Sequence, residues 1–344
     1  MRLIKRGWLK LLFTISILFV LVGCQSYAND FEQIDQNEKI IIRFSHVVGE
    51  DTPKGQAARY FASLMKEKTN GKVEVQVFAN GSLYRDGEEW DALQNGEIQM
   101  IAPAMAKLTD RIPELKIFDL PFFFDNIGQI HELADGTVGT LIYQSAKKQK
   151  VVPLSIWDNG FKQFTNRDFP LKKATDFKGL TFRIMPSSVL DHQFSFLGAE
   201  SEAINFNDVY QSLDKKVIDG QENTISNIYT KKFYRVQNYL TLSNHGYLGY
   251  LVVMNQDFWN QLTPELQETI KESIEEVTIW QREKSMELEN YQLNLIKACN
   301  CIQIDTLEQK EIDRFKAIYS SIYKDLELEL NPTFITEVKK VIHK

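Results

Sequence analysis

The sequence predicts an α/β protein of two lobes, with a cleft between them and one long helix that spans both. Strand and helix patterns alternate over two separate stretches of the chain, 40–102 and 151–254. About 305 residues follow a polar N-terminal segment, which is more than a single hydrophobic core usually accommodates. A helical pattern of unusual length then begins at Thr263 and Pro264 and continues to about Ala298.

The alternating elements follow one another in a regular order. The first stretch has strand patterns at 40–46, 72–78 and 97–102, separated by helix patterns that begin at Thr52 and at about Asp86. The second stretch has strand patterns at 151–157, 180–184 and 247–254, with helix patterns at 189–197 and 207–215. Such alternation predicts a mostly parallel sheet with helices on both faces. The aromatic loop 119–124 is expected to pack in the core or between the lobes.

The C-terminal helical pattern decides the architecture. Its apolar residues form one stripe, interrupted near Lys284, that contains Leu266, Ile270, Ile274, Val277, Trp280, Leu288, Tyr291 and Leu295. At about 1.5 Å per residue, a continuous helix would span roughly 50 Å and would reach across both lobes. The alternative is a pair of helices broken at 283–286, although that segment contains no glycine or proline.

The N-terminus has the pattern of an export signal. Four basic residues precede the apolar run 11–22, which ends at Gly23 and Cys24. The run is short for a transmembrane helix, which needs about 20 apolar residues, so an uncleaved anchor is the less favoured alternative. The segment Leu21-Val22-Gly23-Cys24 resembles the bacterial lipobox, in which the cysteine is acylated. We therefore predict a signal peptide at 1–23, a lipidated Cys24 with a flexible tether at 24–39, and attachment to the outer face of a membrane.

Charge and cysteine content exclude several classes of protein. Removal of the four basic residues of the signal changes the formal net charge from −6 to −10, and an acidic exterior disfavours nucleic acid as a partner. An anionic ligand would therefore need a local cationic pocket. Cys299 and Cys301 are two residues apart, a spacing at which a bridge would be strained, and no histidine lies nearby to complete a zinc site. We interpret them as ordinary residues at a helix end, and we expect neither a metal nor a cofactor.

Several short motifs together resemble a known family, and they extend from about residue 40 to the C-terminus. They are Arg43-Phe44-Ser45-His46, Asp51-Thr52-Pro53-Lys54-Gly55, Phe78-Ala79-Asn80-Gly81-Ser82-Leu83, Leu93-Gln94-Asn95-Gly96, Asp119-Leu120-Pro121-Phe122, Trp157-Asp158-Asn159-Gly160-Phe161-Lys162-Gln163, Lys178-Gly179-Leu180-Thr181-Phe182-Arg183-Ile184-Met185-Pro186 and Asp219-Gly220-Gln221-Glu222-Asn223. In their order and spacing they resemble the DctP family of substrate-binding proteins that serve TRAP transporters. Asp51 to Gly55 and Ala104 to Lys107 are most similar to the dicarboxylate-binding branch.

The resemblance implies a two-lobed, periplasmic-binding-protein-like fold whose lobes are joined by crossing strands. We place the first lobe at 40–159 plus 249–287 and the second at 160–248 plus 288–344. It also implies a monomer without enzymatic activity that binds a small organic acid and passes it to separate membrane subunits.

Arg183 is the principal candidate for binding that acid. Side chains alternate along 180–183, so Thr181 and Arg183 share one face, and Pro186 ends the strand. Arg183 thus lies at the carboxyl end of a strand, where open α/β sheets bind ligands. Ser187 and Ser188 follow and can cap the next helix. A guanidinium pairs with both oxygens of a carboxylate. The residues alone also allow a structural salt bridge, whereas the resemblance implies that this arginine anchors the ligand.

Further candidates come from both lobes. The resemblance gives Asn223 as a second polar contact and places Lys162 where relatives carry a second arginine. Asn159 lies in the same motif as Lys162. Lys54 and Lys107 of the first lobe are candidate cations for a second carboxylate, or else solvated lysines. Less central candidates end the first strand or lie on a loop facing the cleft: Ser45, His46, Tyr84 and Arg85.

These residues predict a short dicarboxylate as ligand, such as succinate, fumarate or malate. One carboxylate would meet Arg183 and the other a first-lobe lysine. The alternatives are a monocarboxylate such as a sugar acid, and an accessory protein that presents its ligand to a sensor kinase. An exported hydrolase is disfavoured because the chain has no nucleophile elbow, His-Glu-x-x-His helix or Walker loop. Glu88 and Glu89 are expected to face water.

Overall fold

The computed structural model describes residues 39–342. The predicted signal peptide, Cys24 and nearly all of the tether lie outside them. The described residues contain nine strands, joined in one mixed sheet: β1 (Ile40–Ser45), β2 (Val73–Phe78), β3 (Met100–Ile101), β4 (Val151–Asn166), β5 (Thr181–Ile184), β6 (Glu200–Ala203), β7 (Gly220–Thr224), β8 (Tyr239–Asn255) and β9 (Gln303–Thr306).

Eleven α-helices accompany these strands in the described part of the chain. They are α1 (Pro53–Lys68), α2 (Glu89–Gln94), α3 (Ile127–Asp135), α4 (Thr137–Lys147), α5 (Ser188–Ser195), α6 (Val209–Asp214), α7 (Ile225–Thr230), α8 (Gln256–Gln261), α9 (Pro264–Cys299), α10 (Gln309–Glu329) and α11 (Pro332–Ile342). The predicted α/β alternation is confirmed, with boundaries that differ by a few residues. Thr52 caps α1 as predicted, since its hydroxyl oxygen accepts a hydrogen bond of 3.1 Å from the Gly55 amide.

The strand order is β2-β1-β3-β8-β4-β7-β5-β6, with β9 beside β8. The sheet therefore has two parallel wings: β1 pairs with β2 and β3, whereas β5 pairs with β6 and β7. Between the wings lie β4 and β8, which run antiparallel to each other. The prediction of a mostly parallel sheet holds for each wing and missed this antiparallel centre.

The two central strands are much longer than their hydrophobic patterns suggest, with 16 residues in β4 and 17 in β8. The first part of β4 pairs with the last part of β8, beside β3; the last part of β4 pairs with the beginning of β8 and with β7. Each strand therefore belongs to both wings. The strand predictions at 151–157 and 247–254 ended early because polar residues and glycines interrupt the apolar runs, although most of these residues are buried.

A register shift marks the middle of β4. It falls between Asp158 and Gly160, and Gly160 has a φ of +113°, which a side chain would strain. The carboxylate of Glu289 lies next to Gly160, so that a Cβ there would approach its Oε2 to 3.3 Å. The local backbone thus favours glycine at this position for both conformational and spatial reasons.

Helix α9 is continuous over 36 residues, as predicted, without a break at 283–286. Thr263 caps it by accepting from the Leu266 amide at 3.3 Å. The helix packs against α1 of one wing, α7 of the other and β4 between them. Gln281 fixes it to the centre of β4, because its amide accepts from the Asp158 N–H at 2.9 Å and donates to the Asp158 carbonyl at 2.6 Å.

Two further predictions can be compared with the structure. The aromatic loop 119–124 packs as expected, with Phe122 and Phe124 buried in the core. The interpretation of Cys299 and Cys301 as ordinary helix-end residues is wrong, because the structure joins them in a disulfide with their Cα atoms 5.2 Å apart. Asn300 between them has a left-handed φ of 52° and ends the helix there, which brings the two side chains together. Among residues 39–342, no helix is both long and apolar enough to cross a membrane.

Candidate ligand-binding site

A narrow cavity lies between the two wings of the sheet. Residues of the β1–β3 wing and residues of the β5–β7 wing line it together: Val47, Val48, Lys54, Asp86, Glu89, Pro103, Ala104, Lys107, Arg183, Met185, Phe206, Asn223, Asn227, Leu248 and Tyr250. The structure thus brings together four of the predicted site residues, namely Lys54, Lys107, Arg183 and Asn223. They reach the cavity from α1, a turn after β3, the end of β5 and the end of β7.

Arg183 is a buried cation without a carboxylate partner among residues 39–342. Its side chain is 2% exposed, and its Nε donates to the Ile204 carbonyl at 2.9 Å. Burial lowers the pKa of Arg183 to about 10, against the opposing effect of Asp86 and Glu222, so the guanidinium remains charged at neutral pH. A buried charge is stable only with a partner, and the outer nitrogens of Arg183 are available for one.

Asn223 and its neighbours place further polar atoms in the cavity. The Oδ1 of Asn223 accepts from the Asn227 side chain at 2.7 Å. The amide nitrogen of Asn223 is buried without a hydrogen-bond partner, whereas the Tyr250 hydroxyl has the Asn227 side chain as its hydrogen-bonding neighbour. Buried polar atoms in proteins are normally hydrogen-bonded. An unpartnered donor that lines the cavity therefore favours a polar ligand.

Lys54 and Lys107 provide the cations of the opposite wall. Lys54 is 1% exposed; its ammonium donates to the Ala102 carbonyl at 2.7 Å and lies 3.7 Å from the centre of the Tyr250 ring. Lys107 contacts Asp86, which also accepts from the Phe206 amide at 2.6 Å. Lys54 is therefore not a solvated surface lysine, which was the alternative prediction. Lys107 is not one either, since its side chain is only 14% exposed.

Lys162 and Arg85 do not line this cavity. Lys162 is fully buried and contacts Glu222, whose carboxylate also accepts from Gln193 at 2.9 Å and hydrogen-bonds His245 at 2.7 Å. Burial alone would raise the pKa of Glu222, but Lys162 and His245 hold it well below its usual range. Arg85 lies at the surface and pairs with Asp208 at 2.8 Å. Both cations therefore already have a carboxylate.

His46 and Asn159 are buried outside the cavity lining. Both amide atoms of Asn159 lack a partner among the described residues, whereas His46 has the Val48 backbone as its hydrogen-bonding neighbour. Burial is the main cause that lowers the pKa of His46 to about 3, and the charge of Lys54 adds to it, so the His46 ring is neutral.

Two other predicted residues have partners outside the cavity. Tyr84 donates to Glu97 at 2.5 Å. Ser187 does not cap α5 as predicted, because its hydroxyl donates to Asp119 at 2.7 Å instead.

A broader groove lies elsewhere, between α3, α4 and α9. Of the cations that line it, Lys147 and Lys271 are exposed, and Arg282 is already paired with Asp135 through two contacts of 2.6 and 2.7 Å. The cavity around Arg183 is therefore the better candidate for binding an anion.

Comparison with known proteins identifies the family of this chain. The family described as "Bacterial extracellular solute-binding protein, family 7" (DctP) matches residues 44–329, which include every residue that lines the cavity. The chain belongs to this family. Among its relatives is the C4-dicarboxylate-binding protein DctB of Bacillus subtilis, which is 43% identical over 305 residues, or 89% of this chain and 87% of that protein.

Two solved structures of this solute-binding family have similar folds and different ligands. A TRAP periplasmic solute-binding protein of Sulfurospirillum deleyianum with bound succinate is 38% identical, with a TM-score of 0.85 over 88% of this chain and 99% of the other. The sugar-acid-binding protein DctPAm of Advenella mimigardefordensis, in complex with galactonate, is 29% identical, with a TM-score of 0.86 over 89% and 98%. The predicted two-lobed α/β fold is thereby confirmed.

The sequence did not identify every residue that lines the cavity. Asp86, Asn227 and Tyr250 line the cavity without having been predicted. Asn223 lies in β7 and Asn227 in the helix that follows it, so no single strand or helix periodicity could have linked the two. Glu88 is exposed as expected, but the prediction that Glu89 faces water is wrong, since Glu89 is 4% exposed and lines the cavity. Helix α2 begins at Glu89, and its first turn points inward.

We expect Lys162→Met to destabilise the fold. The substitution leaves Glu222 buried without its cation, and loss of one partner of a buried ion pair typically costs about 3–5 kcal/mol. Chemical denaturation, with the free energy of unfolding measured at neutral pH, tests this.

The matched control is the double variant Lys162→Met/Glu222→Gln, which removes both charges and should recover most of the lost stability. If Lys162→Met were as stable as the wild type and instead failed to bind an organic acid, Lys162 would be a ligand contact.

Proposed function

We propose that this protein captures a short dicarboxylate, of the succinate, fumarate or malate type, and delivers it to the membrane subunits of a TRAP transporter. The observation that carries the proposal is the buried guanidinium of Arg183, which has no carboxylate partner in the described chain and faces a cavity with two lysines on its other wall. A carboxylate is the group that a guanidinium fork pairs with best.

The arrangement favours a ligand charged at both ends. One carboxylate would pair with Arg183 and accept from the unpartnered Asn223 amide nitrogen. The second would lie toward Lys54 and Lys107, which belong to the other wing. The names of the Bacillus relative and of the succinate-bound neighbour support this ligand class. Asn159 and His46 stay predictions as further contacts.

Such a ligand would also stabilise closure of the lobes. A closed state gains population only through contacts that the open state cannot make, and a dicarboxylate between Arg183 and the lysines supplies them.

We place the lobe boundaries at 159/160 and 248/249. The register shift between Asp158 and Gly160 supports a hinge there, because a bulge locally interrupts the sheet.

We expect Arg183→Lys to bind succinate about tenfold to a hundredfold more weakly than the wild type. The lysine retains the charge but loses the fork, and a hydrogen bond to a charged group contributes about 1.5–3 kcal/mol. Titration calorimetry with succinate, malate and galactonate measures the affinities of both proteins.

The control is Arg235→Lys, a surface arginine in the same wing that is absent from the cavity lining; its affinity should match the wild type. Unchanged succinate binding by Arg183→Lys would make Arg183 a structural residue. Preference for galactonate over succinate would favour a sugar-acid-binding protein, the class to which the Advenella neighbour belongs.

Anchoring to the membrane forms a separate part of the proposal. Cys24 ends the lipobox-like segment Leu21-Val22-Gly23-Cys24. Acylation there would hold the protein at the extracytoplasmic face of the cell membrane without a spanning helix. We expect Cys24→Ser to abolish lipid labelling and to release the protein from membranes or leave it unprocessed. Fractionation with metabolic labelling by a fatty acid tests this, and normal labelling of the variant would contradict lipidation at Cys24.

A further inference from the structure

The cavity contains more charge than the recognition of a dicarboxylate requires. Three cations and two carboxylates line it: Lys54, Lys107, Arg183, Asp86 and Glu89. With all five ionised, the empty cavity carries one net positive charge. A bound dicarboxylate dianion would change this to one net negative charge, in an enclosed space where uncompensated charge is costly.

Three of these five groups, Asp86, Lys107 and Arg183, are charged at neutral pH. Asp86 and Lys107 pair with each other. Burial would raise the pKa of Asp86, but Lys107 and the Phe206 amide keep it below its usual range. Arg183 titrates far above neutral pH. Lys54 differs from these three, because burial lowers its pKa to about 7, although the Ala102 carbonyl and the Tyr250 ring stabilise its ammonium form.

Glu89 is the carboxylate of the five that has no ion pair within the described part of the chain. It begins α2 and is 4% exposed, and the Ser45 hydroxyl is the side chain to which it can hydrogen-bond. The charged groups that face it are Lys54 on α1, Asp86 on the preceding loop and Lys107 on the turn after β3, with Arg183 also lining the cavity. A protonated carboxyl in this position would donate a hydrogen bond and remove one negative charge.

We propose that Glu89 is the proton acceptor of the binding site, and that capture of a dicarboxylate dianion is accompanied by uptake of about one proton onto Glu89. This inference rests on the proposed function. It adds that Glu89 sets the net charge of the protein–ligand complex by binding a proton. The proton restores neutrality to the five cavity groups plus the ligand.

The pH dependence follows from the sign of the shift. Burial is the main cause that raises the pKa of Glu89 to about 7, and burial lowers that of Lys54 to about 7 as well. A bound dianion disfavours the Glu89 carboxylate further. Glu89 would then be largely ionised in the free protein above neutral pH and protonated in the complex, so affinity should decrease as the pH rises. Below about pH 6, Glu89 is already protonated when free, and the linkage should disappear.

Titration calorimetry of the protein with succinate tests the inference. Measurements at about pH 8, in two buffers that differ in ionisation enthalpy, give the number of protons bound with each ligand. We expect uptake approaching one proton per succinate, and up to a tenfold loss of affinity per pH unit between about pH 7.5 and about pH 9, where carboxylic acids are fully ionised. Succinamate, a monoanion of the same shape, should bind without uptake.

Two variants locate the proton. Glu89→Gln should bind succinate with clearly less proton uptake than the wild type and with a smaller dependence of affinity on pH in this range. The exposed neighbour Glu88→Gln should behave as the wild type. Binding of succinate by the wild-type protein without proton uptake would overturn the inference and leave the proposed function intact, and the wild-type experiment stands even if Glu89→Gln fails to fold. Undiminished uptake by Glu89→Gln would also overturn it. Absence of succinate binding at every pH would contradict the proposed function itself.

Discussion

Burial of the Arg183 guanidinium is the constraint on which the site depends. The neighbouring carboxylates are already engaged: Glu222 pairs with Lys162 and His245, and Asp86 pairs with Lys107. These local pairs neutralise the charges around Arg183 and leave Arg183 itself unpaired. Its remaining hydrogen-bonding capacity is therefore directed toward the cavity, where a guanidinium excluded from water attracts a carboxylate more strongly than one at the surface.

The fold makes this burial possible. Arg183 lies at the end of β5 in one wing, whereas Lys54 and Lys107 lie in the other, and β4, β8 and α9 contact both. The two antiparallel strands continue from wing to wing, and α9 packs along them through Gln281. A cavity bordered by two wings can open to exchange ligand without unfolding either parallel sheet. The glycine at 160 and the register shift beside it provide a local irregularity about which such a motion can occur.

Local patterns predicted the elements that are regular. The length and continuity of α9, the capping of α1 by Thr52 and the position of Arg183 at the end of β5 all follow from periodicity and capping chemistry. The full length of β4 and β8 does not, because Asp158 and Asn159 interrupt the apolar pattern yet are buried by contacts distant in sequence. Prediction of the site was limited in the same way: a residue type shows that Lys162 and Arg183 are cations, whereas only the tertiary structure shows which one is already paired.

The same reasoning explains why Glu89 was assigned to the solvent. Two adjacent glutamates at a helix start are normally exposed, and they stabilise the helix dipole from there. Glu89 is buried at the cavity instead, because α2 is short and its first turn faces Lys54 and Asp86. Site chemistry therefore depends on side-chain direction, which sequence spacing alone defines poorly for a helix of six residues.

A crystal structure of the protein grown with succinate would test the central claim most directly. We expect one succinate carboxylate to form a two-point contact with the Arg183 guanidinium and to accept from the Asn223 amide. The other should lie within hydrogen-bonding distance of Lys54, Lys107 or Glu89. Succinate bound elsewhere, or bound with Arg183 paired to a carboxylate of the protein, would contradict the claim that this buried guanidinium is the ligand's anchor.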